Sequence, residues 1–522
     1  MGCPARAITI VALALMTATA GGCTRGSDPR EGDAFKGGSI TVAVANAPRS
    51  LDPAVASDPA ALRALWLVHT PPFTYARAEG QAGTKLIPGL AVRPPVVSEG
   101  SRTFAFVLRR GLRYSDGQPL RARDFEHALK RALRLSRAGR GLFGNVVGAR
   151  AYARALLPGG DLSGVSADEA TGEVRVRLTE PDPAFLFALA SPLAAPAPAG
   201  TEVRDLSEAP PPGIGPYRLA RSRGDTAFVL VRTPGFDLPG VPAANADEVT
   251  GVVQDPASAT RAAIDGFTDA VEGQPPLDLL PQVRSEFKDR YSEYPTLFVH
   301  EIAMNPDRPP FDQEQVRRAI AFSLDEADLA RLRDNFLEPS CNVLPPAVAG
   351  YEPLDPCPYG EREDNADLVE ARALIQSAER PRPRIVVGSA SETRDPELEG
   401  YLIGTLRKIG LRARPARSIT EAARAPFTYV RTEPSVPHPA RYLEAVDEPV
   451  LDTRISLAEL EGEPEASAAK WAEIDREVVE GATLAPYGVE TTGVLLSERM
   501  DVANCARYHP VFGLDWASLC LK

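Results

Sequence analysis

Two serines stand three residues before a lysine, Ser285 before Lys288 and Ser467 before Lys470. On a helix that spacing sets an amine one turn from a hydroxyl, the arrangement by which a lysine activates a serine for acyl transfer. The partner sequences that complete such a site, S-D-N and K-T-G, are both absent. His300 and Glu301 begin an H-E pair, but Met304 stands where a second zinc-binding histidine is needed. Neither a G-x-S-x-G nucleophile turn nor a phosphate loop occurs. The five histidines, His69, His127, His300, His438 and His509, are scattered, and no pair among the 70 acidic residues is set apart by its surroundings. Gly213-Ile214-Gly215-Pro216 lacks the third glycine of a dinucleotide turn, and Pro216 removes a backbone donor. No catalytic residue, metal or cofactor is therefore assigned, and the expected chemistry is binding without turnover.

The elements that would position a binding site are plain in places. At 522 residues the chain is too long for one compact domain and is expected to form two or three. A hydrophobic content of 44% and a charged content of 25% are ordinary for a globular chain, and the net charge of −12 argues against nucleic acid as a partner. Phe104, Phe106 and Leu108 alternate as on a half-buried strand, and Asp116-Gly117 supplies a tight turn. Phe125, Ala128, Leu129, Ala132 and Leu133 then recur at helical spacing, with Asp124 in the first turn. Further strands are predicted over Gly38–Ala45, Val174–Leu178, Ala227–Arg232, Leu297–Met304 and Ile385–Val387. Helices are predicted over Ala60–Val68, Pro183–Ala190, Asp367–Ala378 and Leu398–Ile409, and Val316, Ala319, Ile320 and Ser323 mark the face of another.

The N-terminus reads as an address. Arg6 precedes Ala7–Ala20, an apolar run of signal-peptide length and too short for the roughly 20 residues that span a bilayer. Ala20-Gly21-Gly22-Cys23 resembles the bacterial lipobox, which implies a lipid on Cys23 after removal of residues 1–22. Residues 23–37 then form a polar tether. With Cys3 lost and Cys23 acylated, Cys341, Cys357, Cys505 and Cys520 remain. Four cysteines allow three pairings. The two local pairs, Cys341 with Cys357 and Cys505 with Cys520, are favoured, each closing a loop of about 15 residues worth roughly 3 kcal/mol.

The stretch from Phe104 to Phe125 reads F-x-F-x-L-R-x-G-x-x-Y-S-D-G-x-P-x-x-A-x-D-F, with Arg131 following on the helix. It resembles the signature of the family-5 bacterial extracellular solute-binding proteins, the oligopeptide and dipeptide receptors of ABC importers. Leu51-Asp52-Pro53, Ile87-Pro88-Gly89-Leu90-Ala91, Gly213–Leu219, Asn305–Leu324 and the C-terminal Gly513-Leu514-Asp515 continue the likeness. The resemblance implies an α/β clamp of two lobes, of the large peptide-binding type with an extra subdomain in the first lobe and two crossover strands as hinge. Lobe I is expected from residues 38–80, 81–205 (the extra subdomain) and 206–298, lobe II from 299–488, and the return to lobe I from 489–522. It also implies a peptide or peptide-like solute, permease subunits as partners, a monomer, and a place on the outer face of the cell membrane.

Where the family holds the peptide's amino group with an aspartate, in a segment resembling W-x-A-D-Y-x-x-P-x-x-F-L, this chain has TEPSVPHPARYL over Thr432–Leu443, with Ser435 at the aspartate position. A neutral hydroxyl does not give the charge-assisted bond an ammonium needs. Glu433, two residues earlier and on the same face of an extended segment, is the expected replacement. Otherwise the solute has no free amine, and Arg431, His438 and Arg441 suit an anionic or sugar-bearing one. Tyr429 and Tyr487 are expected wall aromatics, and Ala54 and Val55 follow the turn that the family sets near its ligand. A sensing or envelope lipoprotein without transport, and a secreted serine acyl-enzyme, are the alternative readings.

Overall fold

Alternation of apolar residues in Ser39–Val44 builds a strand buried between neighbours, with Ile40 and Val42 1% exposed. It lies inside an 11-stranded sheet in a computed structural model that describes residues 36–522, apart from 156–160, 223–225, 361–365, 380–382, 390–393, 433, 445, 447–448 and 463. From one edge the strands run Ala413–Pro415, Ile385–Ser389, Phe427–Thr432, Tyr291–Met304, Leu484–Leu496, Ala270–Glu272, Ser39–Val44, Glu248–Val253, Ala227–Arg232 and Tyr217–Ser222, with Leu337–Glu338 paired beside Leu484–Leu496. Parallel pairing of Ser39–Val44 with both neighbours, and of Ile385–Ser389 with both of its own, requires helical crossovers on the sheet faces.

Two strands belong to both halves of this sheet. Tyr291–Pro295 pairs antiparallel with Thr491–Leu495, and Val299–Ala303 with Leu484–Val489. Between them the register breaks at Pro295–Val299, where Thr296 Oγ1 donates to the Glu490 carbonyl at 2.9 Å and accepts from Phe298 N at 3.2 Å. On one side of the break lies a large apolar core that runs from Ile40 through Phe104, Phe125, Phe185 and Phe228 to Trp516 and Leu519, with smaller clusters around Val283 and Leu65; this is lobe I. On the other side, lobe II has a core around Ile302, Phe311, Leu402 and Phe427, and a second around Val299, Tyr442, Trp471 and Leu484. The sequence expectation of a strand over Leu297–Met304 was too short: the strand begins at Tyr291.

The strand, turn and helix foreseen at Thr103–Arg131 form as Thr103–Val107, a turn with Gly117 at φ +88°, and Ala122–Leu135. The strand sits in a four-stranded sheet with Val96–Ser98, Glu173–Arg177 and Val165–Ala167. Asp124 closes the helix start by accepting from Arg121 N at 2.9 Å, and takes the Tyr114 hydroxyl proton at 3.0 Å. At Pro59–Val68 the cap is Asp58, accepting from Ala61 N at 2.9 Å. Disulfides join Cys341 to Cys357 and Cys505 to Cys520. The C-terminal Gly513–Leu514 strand pairs with Tyr508–His509, and Trp516 stacks on Phe228 in the lobe I core.

Two buried ion pairs fasten this lobe, Arg77 with Asp515 and Arg131 with Asp52, and the second ties the helix to the turn. Arg131, on the helix Ala122–Leu135, gives Asp52 two hydrogen bonds at 2.9 and 2.7 Å, and Asp52 also accepts from Ala54 N and Leu206 N at 3.0 Å. Both side chains are fully buried. Arg131→Ala leaves the carboxylate stranded, and lobe I is expected to lose about 3–5 kcal/mol, read from urea unfolding followed by Trp66 and Trp516 fluorescence. A loss below about 1 kcal/mol would contradict the role given to the pair.

Burial lowers the imidazole of His69 to about 4 and that of His509 to about 3. An unfolded histidine titrates near 6.5, so below that pH the unfolded chain binds protons that the folded one refuses. Stability present above about pH 6.5 is therefore lost on acidification, roughly 1 kcal/mol per histidine by about pH 5.5. Melting of lobe I, followed by the same tryptophans, should fall over that range; a flat profile sinks the assignment.

Candidate functional site

Strand alternation decides what faces what. In Phe427–Thr432, Tyr429 and Arg431 point to one side of the sheet and Val430 and Thr432 to the other. After the strand, Pro434–Val436 lead to His438, which starts a one-turn helix over Pro439–Tyr442, its Nδ1 accepting from Ala440 N at 3.2 Å. This segment of lobe II lies against lobe I. Arg441 reaches across to Asp182 at 3.0 Å while holding Glu444 at 2.7 Å. The His438 ring stands edge-on between Phe187 of lobe I, at 5.6 Å, and Trp471 of lobe II, at 5.7 Å. Val436 packs into the lobe I core, and the Tyr442 hydroxyl donates to the Leu297 carbonyl at 3.0 Å. A second contact between lobes is Thr84 Oγ1 donating to the Ala347 carbonyl at 2.7 Å.

Between these contacts lies a cleft of about 470 Å³. Lobe I lines it with Leu142, Asp182 and Phe185, and lobe II with Thr432, Ser435 and Arg441. Its electrostatics are largely settled internally. Arg441 has two carboxylates. Burial raises the Asp182 carboxyl, opposed by Arg441. His438 is driven down to about 3 by burial and then by Arg441, so it is neutral and brings a ring, not a charge.

Across the sheet, a cavity of about 910 Å³ is lined by Tyr429, Arg431, Tyr487, Arg333, His300 and Glu490, with Gln274 contributed by lobe I. Arg431 lies 3.6 Å from the centre of the Phe298 ring and bonds Glu490 at 2.7 and 3.2 Å. Burial alone would raise the Glu490 carboxyl, but hydrogen bonds from His300 and Arg431 outweigh it and hold it down at about 2. The Tyr429 hydroxyl accepts from Asp395 N at 2.8 Å and donates to Glu399 at 3.1 Å.

The residues singled out in the sequence thus fall into two groups. Ser435 and Arg441 face the smaller cleft, Tyr429 and Tyr487 face the larger cavity, and Arg431 borders both; His438 lines neither and is buried between Phe187 and Trp471. Ala54 and Val55 sit in the turn held by Asp52 and line neither. Glu433 and Cys23 lie outside the described residues. Sequence reasoning missed Asp182, Glu444 and Phe185; the signals were Asp182 standing between two prolines and Glu444 three residues after Arg441. The two Ser-x-x-Lys spacings bring no amine to the serine: Ser285 donates to the Pro281 carbonyl at 2.7 Å, and Lys470 pairs with Glu461. The two cysteine-containing clusters, beside Glu326 and Asp501, are disulfides and offer no thiolate.

A family model described as bacterial extracellular solute-binding proteins, family 5 Middle, matches residues 85–423. Over 296 residues the chain is 25% identical to the probable D,D-dipeptide-binding periplasmic protein DdpA of Escherichia coli K12, covering 55% of this chain and 53% of that protein. Over 295 residues it is 28% identical to the glutathione-binding protein GsiB of Escherichia coli O1:K1, covering 55% and 52%. The chain spans about half the length of the curated relatives it matches. In fold it is similar to the clavulanic acid biosynthesis oligopeptide binding protein 2, with a TM-score of 0.77, 24% identity, and 94% of this chain and 96% of that one covered. The two lobes, their shared pair of long strands and the cleft between them are those of a periplasmic-binding-protein clamp, and the chain belongs to the family-5 bacterial extracellular solute-binding proteins.

Proposed function

We propose that the protein is the receptor of an ABC importer, closing its lobes on a peptide or peptide-like solute and delivering it to membrane permease subunits without chemical change. The observation that carries this reading is the 470 Å³ cleft, walled by both lobes and bridged by Arg441 and Asp182. A solute that touches both walls stabilises only the closed arrangement, so binding shifts the population toward the form a permease would detect. In the same reading, residues 1–22 are removed and Cys23 is acylated. The receptor then works as a monomer tethered by residues 23–37 to the outer face of the cell membrane, and residues 38–298 and 489–522 form one jaw against 299–488.

Native mass spectrometry of the mature protein with a pool of dipeptides to pentapeptides tests the solute class. One-to-one complexes with pool members support the reading, and retention of none removes peptides from it. Loss of solute uptake on deletion separates an importer receptor from a sensing lipoprotein. Because the Arg441–Asp182 bridge is partly exposed, its contribution to closure is about 1 kcal/mol. Asp182→Asn should therefore weaken solute binding about fivefold in calorimetry; unchanged affinity would show that the bridge does not hold the closed form.

A further inference from the structure

Behind the wall of the cleft lies a carboxyl that, among the described residues, pairs with no cation. Strand pairing sets Glu301 opposite Val430 and Val299 opposite Thr432, so the Glu301 side chain lies on the sheet face whose Val430 and Thr432 line the 470 Å³ cleft. Glu301 is 1% exposed. Its Oε1 accepts the Thr432 hydroxyl proton, and its Oε2 has no partner among the described residues.

The groups that face it do not balance a negative charge. Asp475, on the helix Ala468–Glu480, is itself buried, accepting from Asn342 Nδ2 and Val343 N at 2.8 Å each. The remaining titratable neighbour is the buried Tyr487 phenol. Among the described residues no lysine, arginine or histidine forms an ion pair with Glu301 or Asp475; Arg476 opposes the rise of the Asp475 carboxyl through its field alone. The carboxylates that line the two cavities differ: Asp182 and Glu444 at the cleft share Arg441, and Glu490 across the sheet is held by Arg431 and His300. Burial pushes both Glu301 and Asp475 up to about 7, so each is ready to gain or lose a proton near neutrality. An uncompensated buried carboxyl weakens a fold, and one kept beside a cleft is accounted for by a cation that arrives with the solute.

We propose that Glu301, acting through the Thr432 hydroxyl, receives a cationic group of the solute, an ammonium or guanidinium. This rests on the solute-receptor reading above and names the class of solute: peptides or amines that present a positive end. The Thr432 hydroxyl donates to Glu301 and turns its lone pairs to the cleft, so a solute N–H donates to Thr432 Oγ1 while Glu301 balances the charge from behind. Where Glu301 carries a proton, that proton passes to solvent as the cation enters, so uptake releases up to one proton per cation and less as pH rises.

The test compares the mature wild-type chain with Glu301→Gln, Thr432→Val and Glu433→Gln. The probes are a pool of tripeptides and tetrapeptides with free amino termini, the same pool N-acetylated, and putrescine; retention is read by native mass spectrometry and stability by thermal melting. Wild type is expected to favour the free-amino pool at least tenfold. Glu301→Gln and Thr432→Val should lose that preference, with Glu301→Gln melting no lower than wild type, while Glu433→Gln keeps it. The proposal is overturned if Glu301→Gln keeps the preference, or if it melts lower and loses both pools equally, the mark of a structural role. If wild type retains neither pool, the peptide reading fails by itself and putrescine decides for Glu301. A rise in wild-type melting temperature that Glu301→Gln lacks upholds the cation site, and no rise overturns it.

Discussion

The hydrogen-bonded ribbon of Tyr291–Met304 and Leu484–Leu496 is the constraint on which the rest of the molecule depends. One end of it is core to lobe I and the other to lobe II, so the lobes share a backbone ladder that neither can leave without unfolding. The ladder slips where Pro295 offers no N–H and Thr296 turns its hydroxyl to the Glu490 carbonyl. The register shifts again between His300 and Glu301, so a rotation of the lobes would be taken up over Pro295–Glu301. The contacts that close the far side include Thr84 on Ala347, Gln81 on the Tyr351 carbonyl, Arg441 on Asp182, Val436 in the lobe I core, and His438 between Phe187 and Trp471. Each is worth on the order of 1 kcal/mol, so a solute that adds a few kcal/mol to one arrangement decides which is populated.

Charge around the site follows a consistent plan. Arg441 and Arg431 are each met by carboxylates, and His438 is held neutral by burial. Recognition by a free arginine is thus not what the visible geometry offers. The unbalanced group, among the described residues, is the Glu301 carboxyl behind Thr432.

Local features were the readable part of the sequence. Phe104, Phe106 and Leu108 gave their strand because period two needs no partner to be seen, and Asp116-Gly117 gave its turn because a positive φ selects glycine. The start of the Tyr291–Met304 strand was hidden by Ser292, Glu293 and Pro295, which break the apolar alternation; pairing with Leu484–Leu496 makes it a strand. Asp52 was visible as a turn residue and Arg131 as a helix residue, yet nothing local joined them across 79 positions. The site suffered most from this. Asp182 meets Arg441 over 259 residues and Glu301 meets Thr432 over 131, distances at which side-chain chemistry leaves no periodic trace.

Single-molecule energy transfer between dyes placed at the exposed positions Gln118, in lobe I, and Glu397, in lobe II, measures the central claim most directly. Protein stripped of solute by unfolding and refolding should show a broad or two-peaked distance distribution. Adding back the solute that co-purifies with the protein, or the peptide pool, should collapse it to one narrow, shorter peak. A distribution that the solute leaves unchanged would contradict capture by lobe closure.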